Sequence, residues 1–239
     1  MPEQVHNPHP CAKCAFYSQS VWEPVGDGAV AALAHRFRRR ELSEGQVVWE
    51  QGSENTGVTC VSKGLIALRS LHPDGGLTLL RLAYPGEIIG NRSFLTGRAH
   101  QTEAKTLLPS RVCVVSRNQA TRVVQENPGV LSRLAIRCID EIDRNHERII
   151  AAASLPNKER LAALLQRLMD AHGEQVEGSY QMRLPLSRSD LADLIGVQPE
   201  TLSRLMGRLE KDGRFSITGR KVVMPILPAP CKKIAPFPT

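Results

Sequence analysis

The sequence predicts an α+β chain in which a small β-barrel or jelly roll is followed by a long helix and a winged helix-turn-helix. Three observations predict this order. Short apolar runs alternate with turn signals from Glu41 to Ser116, and a continuous apolar stripe follows from Pro128 to Ala153. Two short helical patterns then flank Gly196 and precede a hairpin pattern. At 239 residues the chain is long enough for one large or two small domains with their own cores.

Composition narrows the class of protein. The formal net charge of +7 and the isoelectric point near 9.3 permit a nucleic-acid partner without requiring one. The sequence has no apolar run of about 18 residues and no signal-peptide core, so we expect a cytoplasmic protein without a membrane partner. Six cysteines at irregular spacing in a reducing compartment indicate ligand, redox or buried roles rather than a disulfide framework.

The stretch from Glu41 to Ser116 is predicted to form the barrel. Its apolar runs have strand length and are separated by turn signals such as Pro73-Asp-Gly-Gly76. The predicted strands are Gln46–Trp49, Gly57–Val61, Leu65–Leu68, Leu77–Leu82, Ile88–Ile89 and Arg111–Val115. Upstream of them, residues 29–40 predict a short helix whose basic end complements the helix dipole.

The stretch from Pro128 to Ala153 predicts one long helix that pairs with a second copy of the chain. Its seam residues recur at alternating steps of four and three, as in a coiled coil. They are Leu131, Ala135, Cys138, Ile142, Asn145 and Ile149. A second row is available to pack on the barrel, which leaves the first row for the partner of a homodimer. The second row consists of Leu134, Ile139, Ile150 and Ala153.

Residues 156–225 predict a winged helix-turn-helix after a break at Ser154-Leu-Pro156. Asn157–Ala171 forms its first helix, and Ser187 with Asp190 begins the next one in a capping-box-like manner. Pro199 suits the first position of the last helix. The apolar stripe of that helix is Leu202, Leu205, Met206 and Leu209. Phe215–Ile217 and Lys221–Met224 then predict the hairpin of a wing.

The side chains left outside that stripe suit contact with double-stranded DNA. Arg204 can bind guanine O6 and N7, Glu200 can accept from a cytosine amino group, and Ser203 can reach a base or a phosphate. The residues placed to hold the DNA backbone are Thr201, Arg208 and the wing residue Lys221. Because dimeric helix-turn-helix proteins read palindromic half-sites, the predicted homodimer and the predicted DNA partner agree.

The segment GVQPETLSRLMGRL, from Gly196 to Leu209, resembles the recognition helix of the CRP/FNR family of bacterial transcription regulators. Its E-x-x-S-R core is similar to the FNR branch, in which these residues read a TTGAT-type half-site. The CRP branch has Arg and Gly at the positions of Pro199 and Ser203. The resemblance spans Cys11 to Met224 and implies that Glu200, Ser203 and Arg204 read bases. It also implies a cyclic-nucleotide-binding-like double-stranded β-helix as sensor domain and RNA polymerase as a partner.

The pair Cys11-Ala-Lys-Cys14 fits metal, iron–sulfur or dithiol chemistry. The resemblance implies a [4Fe–4S] cluster, since Cys11, Cys14 and Cys113 match three of the FNR branch's four cysteine ligands. The third N-terminal ligand position falls on Ser20, and a serine alkoxide is a poor iron ligand. Three interpretations stay open: a cluster with a carboxylate or histidine as fourth ligand, direct redox sensing by the thiols, or a relic.

The other cysteines and the nucleotide-binding positions predict no further site. Cys60 and Cys138 are interpreted as core residues. Cyclic nucleotide-binding domains place a ribose-binding Glu where this chain has Asn91, and a phosphate-binding Arg-Ser pair at His100-Gln101. Because a buried phosphate needs such donors, no cAMP binding is expected. None of the seven histidines lies in a recognisable haem motif.

The predicted organisation has five segments. They are a flexible segment 1–20, a sensor domain 21–127, a dimerisation helix 128–155, a DNA-binding domain 156–225 and a proline-rich tail 226–239. The alternative within the same class is a regulator that responds to a haem-bound gas or a small molecule and has vestigial cysteines. The alternative of another class is a dithiol redox enzyme, but the C-x-x-C pair lacks a thioredoxin-like βαβ context, so no enzyme is predicted.

Overall fold

The computed structural model of the chain describes residues 14–26 and 37–226. Cys11, most of the predicted helix at 29–40 and nearly all of the predicted tail lie outside these residues. The chain divides into two units, Met1–Glu141 and Ile142–Thr239, and the division falls inside the long helix. Across the described ranges, no helix combines the length and the apolar character needed to cross a bilayer.

The first unit contains a roll of two four-stranded antiparallel sheets, with strand orders β1-β8-β3-β6 and β2-β7-β4-β5. The strands are β1 (Phe37–Leu42), β2 (Val47–Trp49), β3 (Gly57–Lys63), β4 (Ile66–Leu71), β5 (Leu77–Ala83), β6 (Ile88–Ile89), β7 (Glu103–Thr106) and β8 (Ser110–Ser116). A buried core lies between the sheets and includes Leu42, Val61, Ile66, Ala104 and Val112. The predicted jelly-roll architecture is confirmed.

Two strands of the roll were not predicted. Phe37–Arg40 was predicted to end a helix, but it begins β1, whose two ends are buried and whose arginines are exposed. Pairing with β8 from Phe37 to Leu42 overrides the local helical preference, and an exposed run of arginines suits an edge strand. Strand β7 was missed because it buries no large apolar side chain. Its buried residues are the small Ala104 and the polar Thr106.

Two short helices and the N-terminal segment cover the outer face of the β1-β8-β3-β6 sheet. The helices are α1 (Asn91–Thr96) and α2 (Arg117–Glu126), and neither was predicted. Helix α2 buries only Ala120 and Val123, which is too little apolar periodicity for detection. These two residues join a second core with Trp22, Val58 and Val115.

The long helix α3 runs from Pro128 to Ser154, as predicted. Its Leu134 is fully buried in the second core of the first unit. Burial of a leucine side chain contributes about 2 kcal/mol, so this residue helps to hold the first part of the helix against the roll.

The second unit contains α4 (Asn157–His172), α5 (Arg188–Ile195) and α6 (Pro199–Lys211). Its sheet has the order β11-β12-β10-β9, formed by β9 (Glu174–Val176), β10 (Ser179–Arg183), β11 (Ser216–Thr218) and β12 (Lys221–Pro225). The predicted helices and the β11–β12 hairpin are present. Strands β9 and β10 were missed because only Met182 among their residues is buried.

Candidate DNA-binding surface and cysteine cavity

Helix α6 separates a buried face from an exposed one. The stripe Leu202, Leu205, Met206 and Leu209 is at most 5% exposed and packs into the second unit. Glu200, Ser203 and Arg204 are all exposed, while Thr201 is half-buried. The Ser203 hydroxyl donates to the Pro199 carbonyl at 3.1 Å, which leaves its oxygen available to accept. The three predicted base-reading side chains therefore share the solvent side of one helix.

The turn before α6 is determined by its capping residues. Ser187 Oγ accepts from the Asp190 backbone N–H at 3.0 Å, and the Ser187 N–H donates to Asp190 Oδ2 at 3.0 Å, so the predicted capping box is complete. Helix α5 ends at Gly196, whose φ of 64° lies in the left-handed region. Pro199 then begins α6 at its first turn. These three features set the direction in which α6 leaves α5.

The wing lies beside this pair of helices. Strands β11 and β12 pair with each other, and the turn between Thr218 and Lys221 joins them. Gly219 in this turn has a φ of 60°. Arg220 and Lys221 are exposed at this turn. The predicted backbone-contacting residue Lys221 is therefore at the tip of the wing.

Two arginines that the sequence analysis did not single out extend the basic surface. Arg188 donates to the Gly219 carbonyl at 3.4 Å and also contacts Met206 Sδ, so it joins α5, α6 and the wing. Arg183 of β10 lies directly opposite Lys221 of β12, and both are exposed. Like charges opposite each other repel, so this pair is better stabilised when an anion lies nearby. A strand prediction over 179–183 would have revealed Arg183.

Three cysteines of the first unit meet at one cavity. Cys14, Cys60 and Cys113 line it together with Ser20 and Trp22. Cys113 is 6% exposed, and Cys14 and Cys60 are half-buried. The structure thus brings together two of the three cysteines predicted as ligands, and Cys11 lies outside the described residues. The interpretation of Cys60 as an ordinary core residue was incomplete, since its sulfur borders the same cavity.

Two thiols at this cavity, those of Cys60 and Cys113, are held in their protonated form. Burial raises the pKa of Cys60 to about 11, against a hydrogen bond from Trp22 that lowers it. Burial raises the pKa of Cys113 to about 12, and the neighbouring Cys60 and Cys14 add to the effect. Arg39 and Arg111 act in the opposite direction on Cys113. Because the thiolate is the reactive form, both thiols are poor nucleophiles as they stand.

Cys60 and Cys113 face each other across neighbouring strands, in the register of β3 with β8. The Arg117 N–H donates to the Thr56 carbonyl at 2.8 Å at the end of this ladder. Hydrogen-bonded and non-hydrogen-bonded pairs alternate along an antiparallel ladder, which makes Cys60–Cys113 a hydrogen-bonded pair. The Cβ atoms of such a pair lie near the upper end of about 4.5–5.5 Å, beyond the roughly 3.5–4.5 Å typical of a disulfide.

Helix α3 holds the segment that carries Cys14 and Ser20. Arg133 donates to the Ser20 carbonyl at 3.0 Å and to Glu23 Oε2 at 2.6 Å. Arg137 donates to the Gln19 carbonyl and also lines the cysteine cavity. A change at the cavity therefore has a short physical route to α3.

Two of the positions compared with nucleotide-binding residues, Asn91 and His100, are buried and make contacts within the first unit. Asn91 is 3% exposed and donates to Cys138 Sγ at 3.3 Å. His100 is 5% exposed, stacks on Trp49 with ring centroids 4.3 Å apart, and shares a 3.0 Å hydrogen bond with Ser93 Oγ. Burial lowers the pKa of His100, so the ring is held neutral and supplies no positive charge for a phosphate.

Helix α3 carries an exposed apolar face that differs in part from the predicted seam. Of the predicted seam residues, Leu131, Ala135, Ile142, Asn145 and Ile149 are exposed. Cys138 is half-buried beside Asn91, and burial, followed by the Glu141 charge, raises the pKa of its thiol. In the second row of α3, which was predicted to pack on the barrel, only Leu134 is buried, whereas Ile139 and Ile150 are 54% and 63% exposed. Their positions around the helix place these two isoleucines on its solvent side, so the prediction that they pack on the barrel was wrong.

No three His, Cys, Asp or Glu side chains within 14–26 and 37–226 converge as a site for a single metal ion. A cluster makes a different demand, since each of its cysteines binds a different iron atom. The donor chemistry at the cavity fits such a group, because soft sulfur ligands in partly apolar surroundings are those that iron–sulfur clusters use.

Comparison with known proteins relates both units to characterised families. Residues 39–127 match the cyclic nucleotide-binding domain family, and residues 159–227 match the Crp-like helix-turn-helix domain family. The probable transcriptional activator of Rhizobium leguminosarum bv. viciae is 30% identical over 220 residues, which cover 91% of this chain and 90% of that protein. The nitrogen fixation regulation protein FixK of Bradyrhizobium diazoefficiens is 29% identical over 215 residues, 88% of each chain.

The fold is also that of a solved structure. The structure of FixK2 from Bradyrhizobium japonicum superposes with a TM-score of 0.66 at 22% identity, covering 79% of this chain and 92% of that one. The two-part architecture, with a β-rich roll followed by a helix-turn-helix unit, is therefore shared.

Proposed function

Because the chain belongs to the CRP/FNR family of transcription regulators, we propose that it is an FNR-like homodimer that reads TTGAT-type half-sites and responds to oxygen or redox state. As a regulator with a helix-turn-helix, it binds DNA and is not an enzyme. The observation that supports the DNA site is the joint exposure of Glu200, Ser203 and Arg204 on α6.

Each of these side chains has a distinct role in the proposed base reading. The Arg204 guanidinium donates two hydrogen bonds to a guanine in the major groove, and the Glu200 carboxylate accepts from a cytosine amino group. Ser203 Oγ accepts from a base edge while its hydroxyl hydrogen is donated to the Pro199 carbonyl of its own helix turn. The buried stripe beneath them keeps α6 rigid, so the three groups meet the groove in a fixed spacing.

The backbone contacts come from the residues around that helix. Thr201 and Arg208 flank the base-reading set, and Lys221 extends from the wing towards the adjacent phosphates. Arg183 and Arg188 add positive charge on the same side of the wing sheet and the helix pair. Phosphate contacts position the protein without selecting sequence, so these residues supply affinity and register.

The exposed face of α3 supports homodimerisation. Ile139, Ile142 and Ile149 are each more than half exposed in a single chain. They follow one another at steps of three and seven residues, which is the spacing of a coiled-coil seam. Pairing of two α3 helices through this face would bury these side chains and bring two recognition helices to one palindrome. RNA polymerase is the further partner that we propose for this regulator.

The cysteine cavity supports a redox-controlled input rather than cAMP. The cavity gathers Cys14, Cys60 and Cys113, whereas the compared nucleotide-binding positions are filled by the Asn91–Cys138 contact and the His100–Trp49 stack. A cluster bound here would supply electron transfer and sensitivity to oxygen. Arg133 and Arg137 would pass a displacement of the cysteine-bearing segment to α3 through the carbonyls of Ser20 and Gln19.

A comparison of alanine variants of two arginines, Arg204 and Arg208, tests the proposed DNA site. Arg204→Ala is expected to weaken binding to a TTGAT palindrome about tenfold or more while leaving binding to a scrambled duplex nearly unchanged, because a bidentate base contact contributes about 1–3 kcal/mol. Arg208→Ala is expected to weaken both duplexes alike and to reduce the salt slope by about one, as a phosphate contact does. Fluorescence anisotropy titrations at several salt concentrations measure both effects. Equal loss of the two duplexes in Arg204→Ala would contradict the proposed readout.

A further inference from the structure

Strand β1 of the roll has an open, strongly basic edge that the proposed function does not use. It is the end strand of the β1-β8-β3-β6 sheet, so no described strand pairs with its outer side. Arg38, Arg39 and Arg40 follow one another along it, and all three side chains are exposed. We propose that this edge binds an acidic, extended segment of another protein, which adds to the sheet as a fifth strand.

The three arginines have no ion pair with a carboxylate in the part of the chain that the structure describes. Glu41 lies on the same strand, but its carboxylate pairs with Arg111 of β8. The other ion pairs of the described residues lie elsewhere. Because three neighbouring positive charges repel one another, an anionic partner at this edge relieves a repulsion that the free protein carries.

The backbone of β1 supplies hydrogen-bonding groups at the same edge. Cys113 of β8 forms a hydrogen-bonded pair with Cys60 of β3, so its backbone groups point away from β1. Arg39 lies directly opposite Cys113, and the backbone groups of a non-hydrogen-bonded pair point away from each other. The N–H and C=O of Arg39 therefore face the open side of the sheet, and by the same alternation so do those of Glu41. An added strand can pair with these groups.

The alternation of side chains along β1 favours an added strand over a DNA backbone. Phe37 belongs to the second core, outside the sheet, and Leu42 belongs to the core inside the roll. Because successive side chains of a strand point to opposite faces, Arg39 lies on the Phe37 side, whereas Arg38 and Arg40 lie on the Leu42 side. A DNA duplex meets side chains on one face of a sheet, whereas a strand paired at the edge carries its own side chains on both faces. Three consecutive acidic residues in such a strand each meet one arginine.

The bound segment belongs to a different protein. The parts of this chain outside the described residues contain two acidic residues, Glu3 and Asp27, which stand singly in the sequence. The consecutive acidic residues Asp140 and Glu141 lie in helix α3, so they offer no extended backbone. A second copy of β1 would place arginines against arginines, and like charges opposite each other repel. The basic edge thus excludes its own copy and selects an acidic strand.

Fluorescence anisotropy of a dye-labelled acidic peptide, titrated with the full-length chain, tests this surface. The peptide has the sequence Thr-Val-Glu-Glu-Glu-Val-Thr with both ends blocked, and we expect saturable binding. One control peptide has Gln in place of the three Glu and lacks the charge. The other has Pro in place of both Val, so it keeps the charge but loses backbone donors and strand geometry. Both controls are expected to bind about tenfold more weakly or worse.

Two triple variants remove the same charge from different surfaces of the first unit. One combines Arg38→Gln, Arg39→Gln and Arg40→Gln, and it is expected to bind the acidic peptide about tenfold more weakly than wild type. Its control combines three other exposed arginines of this unit and is expected to bind as wild type does. The control substitutions are Arg92→Gln, Arg98→Gln and Arg122→Gln. Circular dichroism shows whether each variant keeps its fold.

Amide hydrogen exchange locates the added strand, because the peptide is expected to slow exchange at the N–H groups of Arg39 and Glu41. Three results would overturn the proposal: no binding of the acidic peptide to wild type, equal binding of the acidic and the proline peptides, or full binding by the β1 triple variant. Weaker binding of the β1 triple variant to a scrambled DNA duplex would assign the three arginines to DNA instead.

Discussion

His100 shows how the contacts of one residue determine the charge that it can offer to a ligand. The residues around it match the cyclic nucleotide-binding domain family, yet its ring is buried, stacked on Trp49 and bonded to Ser93. The ring is neutral because burial lowers its pKa below the ordinary value of 6.5. A neutral, fully engaged side chain at this position cannot act as the cation that a buried phosphate requires.

The buried histidine predicts an acid-sensitive first unit. The unfolded state binds a proton near pH 6.5 and the folded state only at lower pH, so the free energy of unfolding is expected to fall as pH drops below about 6.5. The slope approaches at most about 1.4 kcal/mol per pH unit for this one group. His100→Gln is expected to flatten the dependence, because the amide does not titrate.

Tryptophan fluorescence during urea unfolding at pH 5.5, 6.5 and 7.5 measures this effect. Both tryptophans, Trp22 and Trp49, lie in the first unit, so His172 of the second unit does not contribute to the signal. His72→Gln, at an exposed turn, is the control. An equally steep pH dependence in His100→Gln would assign the effect to other groups.

The helix-turn-helix is the element whose local signals and final structure agree most closely. Ser187, Gly196 and Pro199 each have a capping or turn role that depends only on near neighbours in the chain. The buried stripe of α6 follows directly from its helical period. Arg188 adds a link that spacing alone does not reveal, because its partners Met206 and Gly219 lie in other elements.

Loss of the capping box is expected to destabilise the second unit. Ser187→Ala removes the acceptor for the Asp190 N–H at a cost of about 1 kcal/mol, which corresponds to a decrease in Tm of about 4–8 °C for a domain of this size. Ser187→Thr keeps the acceptor and is expected to recover most of the loss. Thermal unfolding followed by circular dichroism on the full chain measures both, and an unchanged transition in Ser187→Ala would show that the cap is energetically irrelevant.

At the scale of the whole molecule, α3 is the element that belongs to both units, since the division at Glu141 and Ile142 falls inside it. Its buried residues Val130 and Leu134 belong to the core of the first unit. Its exposed isoleucines continue past the division to Ile149 and Ile150. The same helix thus packs on the core of the first unit and leaves an apolar face exposed.

A charge on this face is expected to separate the proposed dimer. Ile142→Glu places like charges in the seam, so we expect a monomer by light scattering and a loss of at least tenfold in affinity for a full palindrome. Ile136→Glu is the matched control, because Ile136 has the same 52% exposure but lies about 120° away around the helix. A dimer that survives Ile142→Glu and dissociates with Ile136→Glu would place the interface on the other side of α3.

The sequence by itself determined the elements whose signals are local or strongly periodic. Most strands of the roll, the long helix, the capping box and the exposed set on α6 follow from turn residues and from apolar spacing. A strand or helix of this kind needs no information from distant residues, because its own side chains define both its period and its ends. The family resemblance was carried by the same recognition helix.

Only the tertiary structure decided what distant elements bring together. Strand β1 forms because β8 pairs with it, although its basic run favoured a helix. Strands β7, β9 and β10, whose residues are mostly small or polar, likewise form because neighbouring strands pair with them. Cys60 joins Cys14 and Cys113 only through the β3–β8 register and the fold of the N-terminal segment. Burial and contact across long chain separations leave no periodic trace in a single sequence, so the composition of the cavity and the exposed face of α3 emerge only when the chain is folded.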